Sequence, residues 1–242
     1  MLSVIIPACN EEKYLRETID AVRKQNKDNE LIVVSDGSKD GTCELVKEFS
    51  KKNSNIKLLS YEKNRGKGYA VKTGMLGAVG DLRLFMDSDN STPIEELDKL
   101  TKLIKPNDIY DVVIGSLAMP GAEINKKEFI LRVIAGWLGN IIIQLLVLPG
   151  IKDTQRGFKL FTRTAAEKIF SKTKIERWGF DIEVLALARK FGFMIKEIAV
   201  RWSHDDRSKI RPWAYAQVLG EVLKIRYWLT FGFYDKPLNP KP

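Results

Sequence analysis

Short apolar runs alternate along the chain with stretches whose apolar residues recur at helical spacing. The runs are Leu2–Ile6, Leu31–Val34, Ile56–Tyr61 and Leu82–Met86, and helical patterns begin at Glu11, Asp40, Gly66 and Pro93. Near-continuous runs of aliphatic and β-branched residues predict strands buried on both faces, and the amphipathic stretches between them predict the helices that cover those faces. Repetition of this unit predicts a doubly wound, Rossmann-like α/β sheet, mainly parallel. Beyond residue 110, Asp111–Ser116, Gly157–Phe161 and Met194–Val200 read as further strands, with helices over Ala165–Phe170 and Asp181–Lys190. No linker or repeat interrupts the pattern, so residues 1–242 read as a single domain.

Ligands of such sheets bind beyond the carboxyl ends of the strands. The residues following the four N-terminal runs are polar: Pro7-Ala8-Cys9-Asn10-Glu11-Glu12, Ser35-Asp36-Gly37-Ser38, Glu62-Lys63-Asn64-Arg65-Gly66-Lys67-Gly68 and Asp87-Ser88-Asp89-Asn90. Parallel strands bring all four to one edge. Asp87 and Asp89 offer two hard oxygen ligands to a Mg²⁺ or Mn²⁺ that bridges to a pyrophosphate. The same spacing also suits a turn, with Asp89 or Ser91 capping the helix that starts near Pro93. The small residues around Asp36 let a base or ribose approach while its carboxylate accepts hydrogen bonds; the alternative is a glycine turn with Asp40 capping the next helix. Asn64-Arg65-Gly66-Lys67-Gly68 sets two cations beside flexible backbone at a helix head, the makings of a phosphate cradle. It lacks the Lys-Ser/Thr ending of a P-loop, which argues against an ATPase.

Composition narrows the partners. The chain is 44% hydrophobic, which speaks for a packed core, and 40 Lys and Arg against 31 Asp and Glu leave a net charge of +9 that favours an anionic partner. Cys9 and Cys43 form no metal-ligand spacing or disulfide framework, which points to a reducing compartment. Met1–Pro7 reads as a first strand and not as a signal peptide. Phe129–Leu148 carries Arg132 as its only charge and has the length of a bilayer span. Arg132, Gly136, Gly139, Asn140 and Gln144 nevertheless form a narrow polar stripe, and Pro149-Gly150 ends the segment, so an amphipathic helix at a membrane interface or against the core fits better. Trp213–Tyr234 mixes aromatics with Lys224 and Arg226, as the headgroup region favours. Interface helices are therefore expected at about 126–148 and 212–234.

Taken in order, Pro7-Ala8-Cys9-Asn10-Glu11-Glu12, Ser35-Asp36-Gly37-Ser38-Lys39-Asp40-Gly41-Thr42, Asn64-Arg65-Gly66-Lys67-Gly68 and Asp87-Ser88-Asp89 resemble the family-two glycosyltransferases of GT-A fold. Asp153-Thr154-Gln155-Arg156-Gly157-Phe158-Lys159-Leu160-Phe161, Arg177-Trp178-Gly179-Phe180-Asp181-Ile182-Glu183 and Ser208-Lys209 resemble the polyprenyl-phosphate branch, nearest to the dolichyl-phosphate glucosyltransferases. The resemblance implies inverting transfer of a hexose, glucose from UDP-glucose, to dolichyl or polyprenyl phosphate. It places Pro7, Ala8, Glu11 and Asp36 at the nucleobase and ribose, Lys67 near the donor, and Asp87 and Asp89 at the catalytic Mg²⁺ or Mn²⁺. Acceptor or sugar contacts fall on Arg132, Arg156, Ser208 and Lys209, with Arg201, Arg207 and Arg211 as further cations able to meet a phosphate. Four positions depart from the family pattern: Cys9 stands for a tyrosine, Ser35 for an aspartate, Ser91 for a glutamine ligand of mannosyl relatives, and Leu117 for an arginine.

A phosphate monoester has its second pKa near ~6 and is already an anionic nucleophile at neutral pH, so no general base is required. The single histidine, His204, is then not needed for proton transfer. Two alternatives stay open: a GDP-mannose donor, and a hydroxyl acceptor with Asp181 as general base. A nucleic-acid partner is not expected, because the strand-end carboxylates repel phosphates and no recognition motif is present. The expected location is peripheral, on the cytoplasmic face of a membrane (endoplasmic reticulum in a eukaryote, plasma membrane in a prokaryote); the sequence does not indicate a membrane-protein partner. Asp89→Ala is expected to abolish turnover without changing the unfolding temperature; near-normal turnover would make the aspartate pair only a turn.

Overall fold

The computed structural model describes residues 1–104, 109–124, 130–203 and 213–235, with the backbone alone at 130–135, 137 and 213–215. The strands are β1 (Leu2–Ala8), β2 (Glu30–Asp36), β3 (Ile56–Tyr61), β4 (Leu82–Met86), β5 (Val112–Ser116), β6 (Glu123–Ile124), β7 (Phe158–Thr162), β8 (Ile195–Ala199) and β9 (Arg201–Trp202). The helices are α1 (Glu12–Gln25), α2 (Thr42–Lys52), α3 (Lys67–Gly77), α4 (Leu97–Thr101), α5 (Ile130–Leu146), α6 (Arg163–Lys172), α7 (Phe180–Lys190) and α8 (Trp213–Thr230).

Successive side chains of a strand face opposite ways, so an all-apolar run fills two layers. Val4 and Ile6 pack with Leu15, Ile19 and Val22 of α1 and Val46 and Phe49 of α2, while Ile5 between them packs with Ala70, Val71 and Met75 of α3. The resulting seven-stranded sheet has the order β3-β2-β1-β4-β7-β5-β8, and β6 and β9 pair separately as a short parallel ribbon. β3, β2, β1 and β4 are parallel, as their shared pattern predicts, and their carboxyl ends lie along one edge.

β7 differs. It runs antiparallel between β4 and β5. Its apolar run shows a buried strand, but a run reads the same in either direction, and only the path of the chain through α5 sets which way it enters the sheet. That path delivers the beginning of β7, with Gly157 just before it, to the edge where β4 ends. The helix expected from Pro93 is a 3-10 turn, Ile94–Glu96, followed by the short α4. Its start is capped neither by Asp89 nor by Ser91: Asn90, in the left-handed region at φ 52°, accepts from the Ile94 N–H at 3.1 Å. β6 and β9 were not expected, because two-residue strands carry no periodicity.

Helices form over 130–146 and 213–230, within the two segments read as interface helices, and pack against each other. Residues 125–129 and 236–242, at their margins, lie outside the described residues. On α5, Ile143 turns inward and Asn140 donates to the Lys152 carbonyl at 2.5 Å, leaving Leu138, Ile142 and Leu145 exposed, the last at 79%. On α8, Val222 and Ile225 turn inward, and Leu219, Leu223, Tyr227 and Phe231 are exposed. Among the described residues no helix is long and apolar enough to cross a membrane.

α8 is fastened to α7 by two buried acids. Glu221 accepts from the Gly179 N–H at 2.6 Å. Glu183, fully buried, accepts from the Lys174 and Ile175 N–H groups at 2.8 and 2.9 Å and from the Tyr234 hydroxyl at 2.7 Å. Tyr234→Phe removes one of these three donors and is expected to lower stability by about 1–3 kcal/mol, read as a lower urea midpoint at unchanged slope. A loss within the ~0.5 kcal/mol typical of surface changes would show that the bond does not hold the chain end.

Candidate active site

The loops after β1 and β2 interlock. Asn10, in the left-handed region at φ 56°, accepts from the Lys39 N–H at 2.7 Å and donates its own N–H to Ser38 Oγ at 3.1 Å. The Glu11 N–H donates to Thr42 Oγ1 at 2.9 Å. Asp40 accepts from the N–H of Thr42, the first residue of α2, and also from that of Glu12, the first of α1, so it steadies the heads of both helices. Pro7 and Ala8 are buried at the end of β1, and Glu11 is half-buried beside them.

Asp36 is only 4% exposed, and its carboxylate ties down the loop after β3. It accepts from the N–H groups of Arg65 and Gly66 at 2.7 and 2.8 Å and from Asn64 Nδ2 at 2.9 Å. Two backbone donors of the phosphate cradle expected at Asn64–Gly68, those of Arg65 and Gly66, are met by Asp36, and the Tyr69 N–H in the first turn of α3 donates to the Glu176 carbonyl at 3.0 Å. The glycines answer a different need. Gly66 has φ +113°, and a Cβ there would come 2.5 Å from the Glu176 carbonyl; one on Gly68 would come 2.6 Å from Phe180 Cβ. Both let α3 press against the segment leading into α7. Arg65 pairs with Glu176 and stacks on the Tyr69 ring at 3.4 Å, so its charge is committed as well.

Lys67 remains. Its ammonium donates to Asp87 Oδ1 at 2.5 Å. Burial works against that ammonium, yet Asp87, Asp181 and Asp89 outweigh it and hold its pKa above the ordinary lysine value. The Asp87 N–H donates to the Gly157 carbonyl at 3.1 Å, and a Cβ on Gly157 would fall on the Asp87 carboxylate. Thr18 pins the intervening Ser88 through its carbonyl at 2.7 Å, and Asp89 accepts from the Ser91 N–H at 2.9 Å. Burial first, and the Asp87 charge second, push the Asp89 carboxyl above the ordinary aspartate range. Two carboxylates thus share one close ammonium, a surplus of negative charge on hard oxygens that suits Mg²⁺ or Mn²⁺. Among the described residues no three His, Cys, Asp or Glu side chains converge as a metal cage. A cation on Asp87 and Asp89 would keep positions open for oxygens that the protein does not supply, as Mg²⁺ sites on substrate phosphates do.

On the far side of this edge, Arg156 lies over the Trp202 ring at 4.8 Å with its Nε 3.5 Å from Asp153, and Asp153 also accepts from the Leu117 N–H at 2.9 Å. Arg201 is paired through its Nε with the buried Glu96 at 2.6 Å. The Ser203 N–H donates to the Ser91 carbonyl at 2.9 Å, so the chain leaving β9 docks on the aspartate loop. Arg132 lies on α5, where the backbone alone is described; Ser208, Lys209, His204, Arg207 and Arg211 lie outside the described residues. Asp181 is 3% exposed and bonded to the buried Lys159 at 2.5 Å. The alternative that makes it a general base requires it to reach the acceptor's proton, and here the carboxylate is engaged by Lys159. Gly157, Lys159 and Glu96 were not singled out from sequence. The first two stood inside a motif, but only the antiparallel entry of β7 brings Gly157 to Asp87 and Lys159 to Asp181.

The chain matches the model of the family described as Glycosyl transferase family 2 over residues 3–170. It is 39% identical to a dolichyl-phosphate beta-glucosyltransferase of Dictyostelium discoideum, an alignment covering 96% of this chain and 76% of that protein. Identity to the protein of the same name from Homo sapiens is 36%, covering 93% of this chain and 74% of that one. Among solved structures, glucosyl-3-phosphoglycerate synthase from Mycobacterium tuberculosis in complex with Mn²⁺, UDP-glucose and phosphoglyceric acid superposes with a TM-score of 0.69 at 21% identity, covering 94% of this chain and 80% of that one. That likeness shows the fold, GT-A.

Gly157→Ala must displace the Asp87 carboxylate, and we expect Mn²⁺ affinity measured by titration calorimetry to fall about 10–100-fold. In the unaltered protein Mn²⁺ should bind more weakly as pH is lowered through the titration of Asp89, which lies above the ordinary aspartate value, because protonation removes a ligand. Unchanged affinity in the variant would show that Asp87 does not hold the metal.

Proposed function

Because the chain belongs to glycosyl transferase family 2, we propose that it transfers glucose from UDP-glucose to a polyprenyl phosphate of the dolichyl type, with inversion at the anomeric carbon. The observation that carries this reading is the pair Asp87 and Asp89 at the meeting of four strand ends, with Lys67 as their close cation. Relatives named for glucosyl transfer to dolichyl phosphate favour glucose over mannose, and solved neighbours holding UDP-glucose favour uridine over guanosine.

Asp87 and Asp89 would hold Mg²⁺ or Mn²⁺, which when bound neutralises the charge that develops on the departing diphosphate. Lys67 keeps the Asp87 carboxylate oriented and adds positive potential beside the diphosphate. Pro7, Ala8 and Glu11 border the base and ribose. Asp36 contributes there by fixing the Asn64–Gly66 backbone. The acceptor phosphate attacks as an anion, so its need is cationic positioning, which Arg156 supplies from its seat on Trp202 together with Arg132 and Lys209, while the Ser208 hydroxyl donates a hydrogen bond. The burial of Asp181 fits an acceptor that needs no base.

The acceptor's phosphate lies at a membrane surface. Leu138, Ile142 and Leu145 of α5 and Leu219, Leu223, Tyr227 and Phe231 of α8 are apolar side chains that the fold leaves exposed, and Lys224 and Arg226 beside them suit anionic headgroups. Peripheral attachment through these two helices, on the cytoplasmic face of the endoplasmic reticulum or plasma membrane, follows from this reading.

Radiolabelled UDP- and GDP-sugars offered with a polyprenyl phosphate, with and without Mn²⁺, should give a lipid-linked product from UDP-glucose and metal alone, and NMR should show a β linkage. A product from GDP-mannose in its place would move the donor assignment, and no lipid product under any condition would overturn the proposal.

A further inference from the structure

Lys159 is the second residue of β7, opposite Phe85 of β4 and Ile114 of β5, and is 0% exposed. A lysine almost never reaches that burial without a partner. Its ammonium has two oxygen acceptors, Asp181 Oδ1 and the Arg156 carbonyl, each at 2.5 Å, and lies 5.1 Å from the Phe85 ring centre. Asp181, in the first turn of α7, also feels the Lys67 ammonium, which in turn is bonded to Asp87. Negative and positive groups therefore alternate from Asp87 through Lys67 and Asp181 to Lys159.

Stability alone does not explain this arrangement. A buried ion pair is often no more stable than well-packed apolar residues of the same volume, and a strand position flanked by Phe85 and Ile114 would accept such residues readily. What the pair holds is more specific. Lys159 grips the carbonyl of Arg156, so it fixes the turn whose next residue, Gly157, accepts the Asp87 N–H and lies flat against the Asp87 carboxylate. The Asp181 carboxylate also adds negative charge that favours the Lys67 ammonium.

We propose that Lys159 and Asp181 are a positioning pair for the metal-binding aspartate: Asp181 holds the Lys159 ammonium, and Lys159 fixes the Arg156–Gly157 turn against Asp87. The pair touches neither donor nor acceptor, and its effect is carried to the metal through Asp87. This inference rests on the metal reading above.

Two variants of the full chain test it. Asp181→Asn keeps an oxygen acceptor for Lys159 while removing the charge, and the double variant Lys159→Met with Asp181→Leu removes both charges at similar volume. Mn²⁺ dissociation constants by calorimetry, unfolding temperature, and kcat and KM at saturating Mn²⁺ are measured for each. The double variant is expected to unfold at or above the wild-type temperature yet bind Mn²⁺ about tenfold more weakly or worse, the scale of a lost outer-shell partner. Asp181→Asn is expected to bind Mn²⁺ more weakly while keeping kcat close to wild type once metal is saturating. Wild-type Mn²⁺ affinity in the double variant would overturn the proposal. If the double variant does not fold, Asp181→Asn decides: weaker Mn²⁺ binding supports positioning, and unchanged binding overturns it. Loss of kcat in Asp181→Asn with Mn²⁺ and donor affinities intact would overturn it in favour of a proton-transferring role. Failure of the unaltered protein to bind Mn²⁺ would overturn the metal reading itself, an outcome separate from unchanged binding in the variants.

Discussion

The ion pair between Lys67 and Asp87 joins the two parts of the molecule on which the site depends: the head of α3 and the carboxyl end of β4. Each partner is over-determined. Asp87 is braced by Gly157 and by its own N–H bond to the Gly157 carbonyl, while α3 is locked by Asp36 and by the glycines that let it meet the segment before α7. A carboxylate held this firmly is arranged before any ligand arrives, which is what electrostatic catalysis requires. The negative charge of Asp89, disfavoured by burial and by its neighbour, is one that a divalent cation would stabilise.

Around this centre the same device recurs. A buried acid accepts N–H groups from a loop that has too few apolar residues to pack itself. Asp36 does so for residues 64–66, Glu96 for Arg201, Glu183 for residues 174 and 175, and Glu221 for Gly179. Hydrogen bonds from backbone donors to an ionised carboxylate are among the stronger ones available, and they leave no donor stranded away from water. The loops at the functional edge are thereby rigid without being apolar, so polar groups stay available for a polar substrate.

The link from the surface helices to the centre runs through the same contacts. α8 carries exposed leucine and aromatic side chains on one side and Glu221 on the other; Glu221 holds Gly179, two residues before Asp181. Tyr234, just beyond α8, closes on Glu183 of α7. The exposed apolar face of α8 and the base of the aspartate site thus share α7 as a common support.

Much of this was legible from the chain alone. Apolar runs and helical periodicity placed all seven strands of the main sheet, and the parallel β3-β2-β1-β4 half followed, because two-faced burial needs apolar residues at every position. The polar strand ends, with Asp87 and Asp89 among them, were visible for the same reason: parallel connection forces them to one edge. What the chain by itself did not decide was direction and partnership. Nothing in Phe158–Thr162 shows that it enters antiparallel, and so nothing local shows that Gly157 meets Asp87 or that Lys159 lies in the core against Asp181. Nor does Asn64–Gly68 announce that its donors turn to Asp36 and its glycines to Glu176 and Phe180. Periodicity reports which side of an element is buried, whereas the partner of a buried charge depends on elements distant in sequence, and only the folded chain brings those within hydrogen-bonding reach.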